Sequence, residues 1–243
     1  MDFGNSDVKW ATGEELKQER VHRVASKDQM QTLIQQLKAH PRPSHVYIAS
    51  VLRSERLHEL SSWMDATWQI SPVFAYTCKS ELGVVNGYRN PEQLGVDRWL
   101  GLLAGRAISK RPQLIVDCGT ATTMDAMDAE GRHLGGAILP GLALFNRCLQ
   151  AQTDLPVLKE HAEIDRFATD TAAGIASGAM LATSSSIETM LDRVRKVTDR
   201  DTDCLLTGGF ASQVAGHLTS PHRLVPYLIL QGLSLQAGQK DRQ

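Results

Sequence analysis

Cysteine is scarce in this chain and scattered. The four cysteines, Cys78, Cys118, Cys148 and Cys204, form no Cys-x-x-Cys pair. That excludes a disulfide scaffold and leaves no sequence signature of a zinc site. Cys118 and Cys204 fall in apolar strand contexts, where a thiol behaves as a small hydrophobe, and the expected compartment is a reducing one. An excess of either charge is also missing. Lys and Arg number 26 against 27 Asp and Glu, a net charge of −1, so neither a basic nucleic-acid surface nor an acidic tail is present. Long hydrophobic runs are lacking too. The longest apolar tract, around Gly135 to Phe145, is short and broken by glycine and proline, so no segment is expected to span a membrane. The start carries no apolar signal segment, and the expected location is cytoplasmic. What remains, 243 residues with 42% hydrophobic and 22% charged, is ample for a sizeable core in one large domain or two small ones.

The most informative stretch is Leu114-Ile115-Val116-Asp117-Cys118-Gly119-Thr120-Ala121-Thr122-Thr123. Its apolar, partly β-branched start reads as a buried strand. The strand ends in a carboxylate, a glycine and hydroxyls. Glycine permits close backbone approach, and N–H groups with hydroxyls at such a turn cradle phosphate. Asp117 beside them suits a cation or a water set between it and the phosphate. Asp2-Phe3-Gly4-Asn5-Ser6, with Lys9 shortly after, repeats the pattern about 115 residues earlier. Alone, each is also an ordinary Asp-x-Gly turn. Together they suggest two related halves, each offering one turn to a shared nucleotide, with a boundary near Lys110 to Gln113.

Around these turns, strand and helix alternate, the mark of an α/β layer fold. Val8 and Trp10 alternate as the return strand of a hairpin, and strand one is expected to be short because only Met1 precedes Asp2. Glu14 to Arg20 reads as charged surface. Ser26 to His40 reads as a helix with Met30, Leu33, Ile34 and Leu37 on one face. His45 to Val51 reads as a strand, Ser54 to Trp63 as a helix and Val73 to Tyr76 as a strand. A Gly/Ala-rich helix follows from Trp99 to Ile108, with Asp97 and Arg98 near its start. There Asp97 has two readings, a helix cap or a functional base. Thr123 to Met127 and the glycine-rich Leu134 to Gly141 follow the central turn, the latter implying close backbone approach. Leu142 to Leu149 and Ala172 to Val197 read as helices, with Asp170 or Thr171 as a cap. Cys204 to Leu206 is a strand running into Thr207-Gly208-Gly209. Tyr227 to Leu230 reads as a last strand, and Gly232 to Ala237 as a closing helix.

The motifs, taken in order, resemble those of the type III pantothenate kinases, within the superfamily of acetate and sugar kinases, heat-shock chaperone ATPases and actin. Asp2-Phe3-Gly4-Asn5-Ser6 with Lys9 resembles the family's first phosphate motif. Gly87-Tyr88 with Leu94-Gly95-Val96-Asp97-Arg98 resembles its substrate motif, and Val116 to Thr123 its second phosphate motif. Leu134-Gly135-Gly136 with Pro140-Gly141, Thr171, and Thr207-Gly208-Gly209 complete an ordered set over nearly the whole chain. The resemblance implies two ribonuclease H-like halves, with mixed sheets flanked by helices and a nucleotide cleft between them. Residues 1–110 would carry the first phosphate turn and the substrate motif, and residues 111–243 the second phosphate turn.

By the same resemblance, Asp97 is the general base. Asp2, Gly4, Asn5, Ser6, Lys9, Gly119 and Thr120 hold ATP, and Asp117 binds a monovalent cation, K⁺ or NH₄⁺. Tyr88, Gly95, Val96, Asp97, Arg98 and Thr171 hold pantothenate, and Mg²⁺ accompanies the nucleotide. A homodimer is implied, with Thr171 completing the partner's substrate site. The chemistry also stands without the name. Phosphoryl transfer needs charge neutralised at the phosphates and an acceptor hydroxyl held in line. A carboxylate such as Asp97 can take the hydroxyl proton, and a guanidinium such as Arg98 suits an anionic substrate group. Two alternatives stay open: another small-molecule kinase of the superfamily, and a nucleotide-binding regulatory accessory factor.

Overall fold

A computed structural model of the chain describes residues 1–4, 6–25, 29–50, 55–152 and 163–240. In chain order the elements begin with β1 (Asp2–Phe3), β2 (Asp7–Trp10), α1 (Gly13–Lys17), β3 (His22–Ala25), α2 (Gln29–Lys38), β4 (Tyr47–Ser50), α3 (Glu55–Trp68) and β5 (Val73–Phe74). A small hairpin of β6 (Ser80–Glu81) and β7 (Val84–Val85) precedes α4 (Val96–Ile108). Then come β8 (Gln113–Cys118), β9 (Ala121–Met127), β10 (His133–Pro140), α5 (Leu142–Gln152) and α6 (Thr171–Thr198). The chain closes with β11 (Asp203–Thr207), α7 (Ala211–Ala215), β12 (Arg223–Leu224) and α8 (Leu228–Lys240).

The described residues group into two compact units. Met1–Ala104 with Tyr227–Gln243 form one, and Gly105–Pro226 the other. The closing helix α8 therefore counts with the first unit, whereas the sequence reading carries it with the second half.

In the first unit the five-stranded sheet runs β3-β2-β1-β4-β5. β1 lies antiparallel to β2, with Asp2 opposite Lys9, and parallel to β4, with Asp2 opposite Ala49. The second unit repeats the plan as β10-β9-β8-β11-β12. There β8 is antiparallel to β9, with Asp117 opposite Thr123, and parallel to β11, with Asp117 opposite Thr207. The two sheets thus correspond strand for strand, three antiparallel strands followed by two parallel ones. Both acid-glycine turns leave the middle strand of a sheet.

Each unit has its own core. The first packs Phe3, Val8, Trp10 and Ile48 of the sheet against Leu33 and Leu37 of α2 and Leu60 and Met64 of α3. Apolar residues every three or four positions put one stripe of each helix onto the sheet. The second packs Leu114, Val116, Met124 and Leu206 against Ile187, Leu191 and Val194 of α6. Three of the four strand residues at 113–116 are fully buried, as expected of a strand covered on both faces.

Most expected elements are present with moved ends, and four features differ from the expectation or add to it. Tyr227 to Leu230 is not a strand: Tyr227 takes a left-handed φ of 57° and the chain continues as α8. The last strand is instead β12. The charged stretch at 14–20 lies at the surface as expected and also holds a helix, α1, started by a capping box between Thr12 and Glu15. β3 had no sequence counterpart. Finally, α4 begins at Val96, so Asp97 lies inside its first turn rather than before it. Asp170 is the cap of α6, accepting a hydrogen bond from the Ala173 N–H at 3.0 Å. The expected cap Ser26 lies outside the described residues, as does Val51 at the end of the strand expected at His45 to Val51.

Candidate active site

In the first unit, the candidate base is positioned by its own helix. Asp97 Oδ1 accepts the Arg98 backbone N–H at 2.8 Å, fixing the carboxylate in the first turn of α4. A Cβ at Gly95, just before the helix, would lie 2.6 Å from Asp97 Oδ1 and crowd that carboxylate. Arg98 is 8% exposed. Its Nη1 donates to the Tyr88 hydroxyl at 2.7 Å, and the guanidinium carbon lies 5.5 Å from the Tyr88 ring centroid. Tyr88 is held in turn by Asn86, whose side-chain oxygen accepts the Tyr88 N–H at 3.0 Å. The Asn86 amide donates to the carbonyls of Cys78 and Pro91 at 3.3 and 3.1 Å. Asn86 is buried, and its role in aiming Tyr88 went unread in the sequence, where it stood only in a turn-rich run.

The first glycine turn belongs to the same unit. The Gly4 N–H donates to the Asp7 carbonyl at 3.0 Å, closing the β1–β2 hairpin. Burial pushes the Asp2 carboxyl above the ordinary carboxylate range; the Lys9 ammonium pulls it back, and the Asp97 charge pushes it up again. Asp2, Lys9 and Asp97 therefore share one electrostatic neighbourhood. Ser6 is exposed at the hairpin tip. Asn5, expected beside it, lies outside the described residues.

In the second unit, three turns meet at the end of β8. The Gly119 N–H donates to the Ala121 carbonyl at 3.1 Å, and the Gly141 N–H to the Thr120 carbonyl at 3.0 Å. A Cβ at Gly141 would come within 2.5 Å of the Thr120 oxygen, so only glycine fits after β10. Gly208, after β11, has φ +96°, and a Cβ there would overlap Asp117 Oδ1 and lie 2.6 Å from the Cys118 carbonyl carbon. The Phe210 N–H donates to the Cys118 carbonyl at 3.0 Å. Gly208 precedes α7, a helix of five residues, and packs against Asp117. Cys118 and Cys204 are buried, and burial pushes both thiols up to about 12, so they stay protonated. Thr171 is the first residue of α6 and is exposed. His133 is buried with Nε2 2.9 Å from Asp125 Oδ1.

Two copies of one mixed sheet, each ending its middle strand in an acid and a glycine turn, are the build of a nucleotide-dependent phosphotransferase. The comparisons narrow this. The type III pantothenate kinase family pattern matches residues 1–193. The type III pantothenate kinase of Dechloromonas aromatica is 36% identical over 239 residues, covering 96% of this chain and 95% of its own. That of Methylibium petroleiphilum is 33% identical over 251 residues, covering 99% and 98%. This chain belongs to the type III pantothenate kinase family. Among solved structures, one from Campylobacter jejuni, described as a conserved Baf-family transcriptional activator, is similar with a TM-score of 0.62 at 18% identity. It covers 100% of this chain and 98% of its own, and shows the shared fold. Among the described residues, no helix is long and apolar enough to cross a membrane.

Proposed function

We infer that this chain phosphorylates pantothenate with ATP, giving 4'-phosphopantothenate in the first step of coenzyme A biosynthesis, with Asp97 as the general base. The observation that carries the assignment of the base is local. Asp97 is held by the Arg98 N–H beside Gly95, where a Cβ would crowd it, next to the Arg98–Tyr88 pair, and its charge is felt by Asp2 of the first glycine turn. Base, substrate-anchoring pair and first phosphate turn thus belong to one compact unit. The carboxylate takes the proton of the pantothenate hydroxyl as that oxygen attacks the γ-phosphorus of ATP. The bond from the γ-phosphorus to the bridging oxygen breaks, and ADP leaves. Arg98, with Tyr88 and Val96, is assigned to the substrate's carboxylate end, where a guanidinium gives a charge-assisted hydrogen bond.

Gly4, Ser6 and Lys9 of the first turn, and Gly119 and Thr120 of the second, are assigned to the nucleotide phosphates. Asp117 fits a cation ligand: its oxygen faces Gly208, a place that any Cβ would fill. We assign it K⁺ or NH₄⁺, and Mg²⁺ is assigned to the nucleotide; these ions neutralise phosphate charge when bound. We also assign a homodimer in which Thr171 completes the partner's substrate site. In support, α6 presents Gly174 and Gly178, each with open space where a Cβ would stand, and Leu181, 67% exposed, at helical spacing. Light scattering of the purified chain tests the dimer: a monomer at assay concentration removes it.

The central test is Asp97→Asn. If Asp97 were only a first-turn acid, Asn would serve nearly as well, changing stability by at most about 1 kcal/mol and leaving the rate alone. A general base contributes about 10²–10⁴-fold. The expected result is an unchanged melting temperature and ATP affinity with kcat for pantothenate down at least about a hundredfold. A folded variant with near-normal kcat refutes the assignment.

A further inference from the structure

Glu15 of α1, His22 of β3 and His40, just past α2, converge outside every residue assigned to ATP or pantothenate. His22 Nε2 lies 3.0 Å from Glu15 Oε1, and His40 Nε2 lies 3.5 Å from the same oxygen. One ligand atom from each of the three lies within 4.8 Å of the other two. Their side chains are half-buried, 17%, 33% and 26% exposed for Glu15, His22 and His40.

The hydrogen bonds around the cluster decide its chemistry. His40 Nδ1 sits 3.0 Å from the Gln36 carbonyl oxygen. A carbonyl can only accept, so Nδ1 carries a proton and Nε2 is the ring nitrogen aimed at Glu15. Two imidazole nitrogens thus converge on one carboxylate oxygen, and one metal ion would satisfy all three ligand atoms together. The outer groups are those that orient metal ligands. The Gln36 carbonyl fixes the His40 tautomer, and the Thr12 N–H donates to Glu15 Oε2 at 2.9 Å, steadying the carboxylate. The Trp10 ring stacks on His22 at 4.2 Å and meets His40 edge-on at 4.7 Å.

We propose that Glu15, His22 and His40 form a transition-metal site for Zn²⁺ or a similar borderline divalent cation, tying α1, β3 and the end of α2 together. Zn²⁺ bonds of about 2.0–2.2 Å in tetrahedral geometry set ligand atoms about 3.4 Å apart, close to the 3.0 and 3.5 Å seen here. Two imidazoles and one carboxylate leave the fourth position to water. The sequence gives little sign of it, because the ligands come from three separate elements with no short repeat spacing.

The test uses the full, tag-free chain, without ATP or pantothenate, in phosphate-free buffer. Calorimetric titration with Zn²⁺ is expected to give one ion per chain, and Zn²⁺ is expected to raise the melting temperature. Co²⁺ is expected to give a visible absorption band and to quench Trp10 fluorescence. His22→Gln and His40→Gln are each expected to weaken Zn²⁺ binding at least about tenfold, and the double variant to abolish both the heat and the stabilisation. Glu15→Gln keeps the bond from Thr12 and is expected to weaken binding likewise. Wild-type protein with neither heat nor stabilisation at 100-fold excess Zn²⁺ overturns the proposal. So does a folded double variant that binds as wild type does. Neither outcome bears on Asp97 or on kinase activity.

Discussion

Gly208→Ala is the substitution for which the structure gives the clearest magnitude. Gly208 has φ +96°, a conformation that costs a residue with a Cβ about 1–3 kcal/mol. The new methyl would overlap Asp117 Oδ1 and press within 2.6 Å of the Cys118 carbonyl carbon and oxygen. Two of the three obstacles are backbone in the middle strand of the second sheet, which cannot swing aside, so overpacking adds about 1–3 kcal/mol. The total of about 2–6 kcal/mol corresponds to a fall in Tm of roughly 4–24 °C for a chain of this size. The neighbouring glycine is the control. A Cβ at Gly209 meets nothing within 4 Å, and its φ is not in the left-handed range, so Gly209→Ala is expected to lie within about 0.5 kcal/mol of wild type. Both variants are melted side by side without nucleotide. If they melt within about 2 °C of each other, the close packing of the Gly208 turn on Asp117 is refuted.

Four further outcomes are expected. Gly232→Ala drives a Cβ to 2.6 Å from the Leu100 carbonyl carbon. It is expected to lower Tm despite the roughly 1 kcal/mol that alanine brings to a helix; a raised Tm would show that α8 does not press on α4. Gly95→Ala crowds Asp97 Oδ1 and is expected to cut kcat at least tenfold with little change in Tm, read by steady-state kinetics beside a melt. Asp117→Asn is expected to flatten the dependence of rate on K⁺, and equal wild-type rates in Na⁺ and K⁺ would remove the cation assignment. Glu188 is raised by burial, but hydrogen bonds from Ser220 and Thr219 outweigh this and hold it down at about 2. A depressed carboxyl stabilises above its ordinary value of 4.5 and loses that contribution as the pH falls toward 2. In urea melts, the gap between wild type and Glu188→Gln, about 1 kcal/mol at pH 7 after solvent screening, is expected to narrow from pH 6 to pH 3.

The middle strands were legible because their signals are local. Leu114 to Val116 is a short apolar run bounded by a turn, and Asp117-Cys118-Gly119 names the turn by its glycine. The stripe of Met30, Leu33, Ile34 and Leu37 gave α2 by its period, and those residues do pack on the first core. The first turn of α8 was misread for an equally physical reason. Leu228, Ile229 and Leu230 are all buried, so the helix start shows no polar position. A short apolar run cannot be assigned to strand or helix by periodicity. The deciding feature, Gly232 pressed onto Leu100, lies 132 residues away in sequence. β3 was missed because His22 to Ala25 has a single fully buried residue, Val24.

The same distinction runs through the site. Asp2 and Asp117 occupy equivalent strand ends of corresponding sheets, and the repeated acid-x-glycine pattern reveals that much. What separates their roles is the set of neighbours that folding brings. Asp2 faces Lys9, its cross-strand partner, and feels the charge of Asp97 from the start of α4. Asp117 instead has Thr123 and Thr207 on its flanking strands and the bare backbone of Gly208 against its oxygen. Asp2 thus sits in a network of three charges, whereas the backbone of a neighbouring turn closes on Asp117. Two identical groups thus stand at equivalent places, and long-range packing, through residues 95 and 91 positions away in sequence, makes them different.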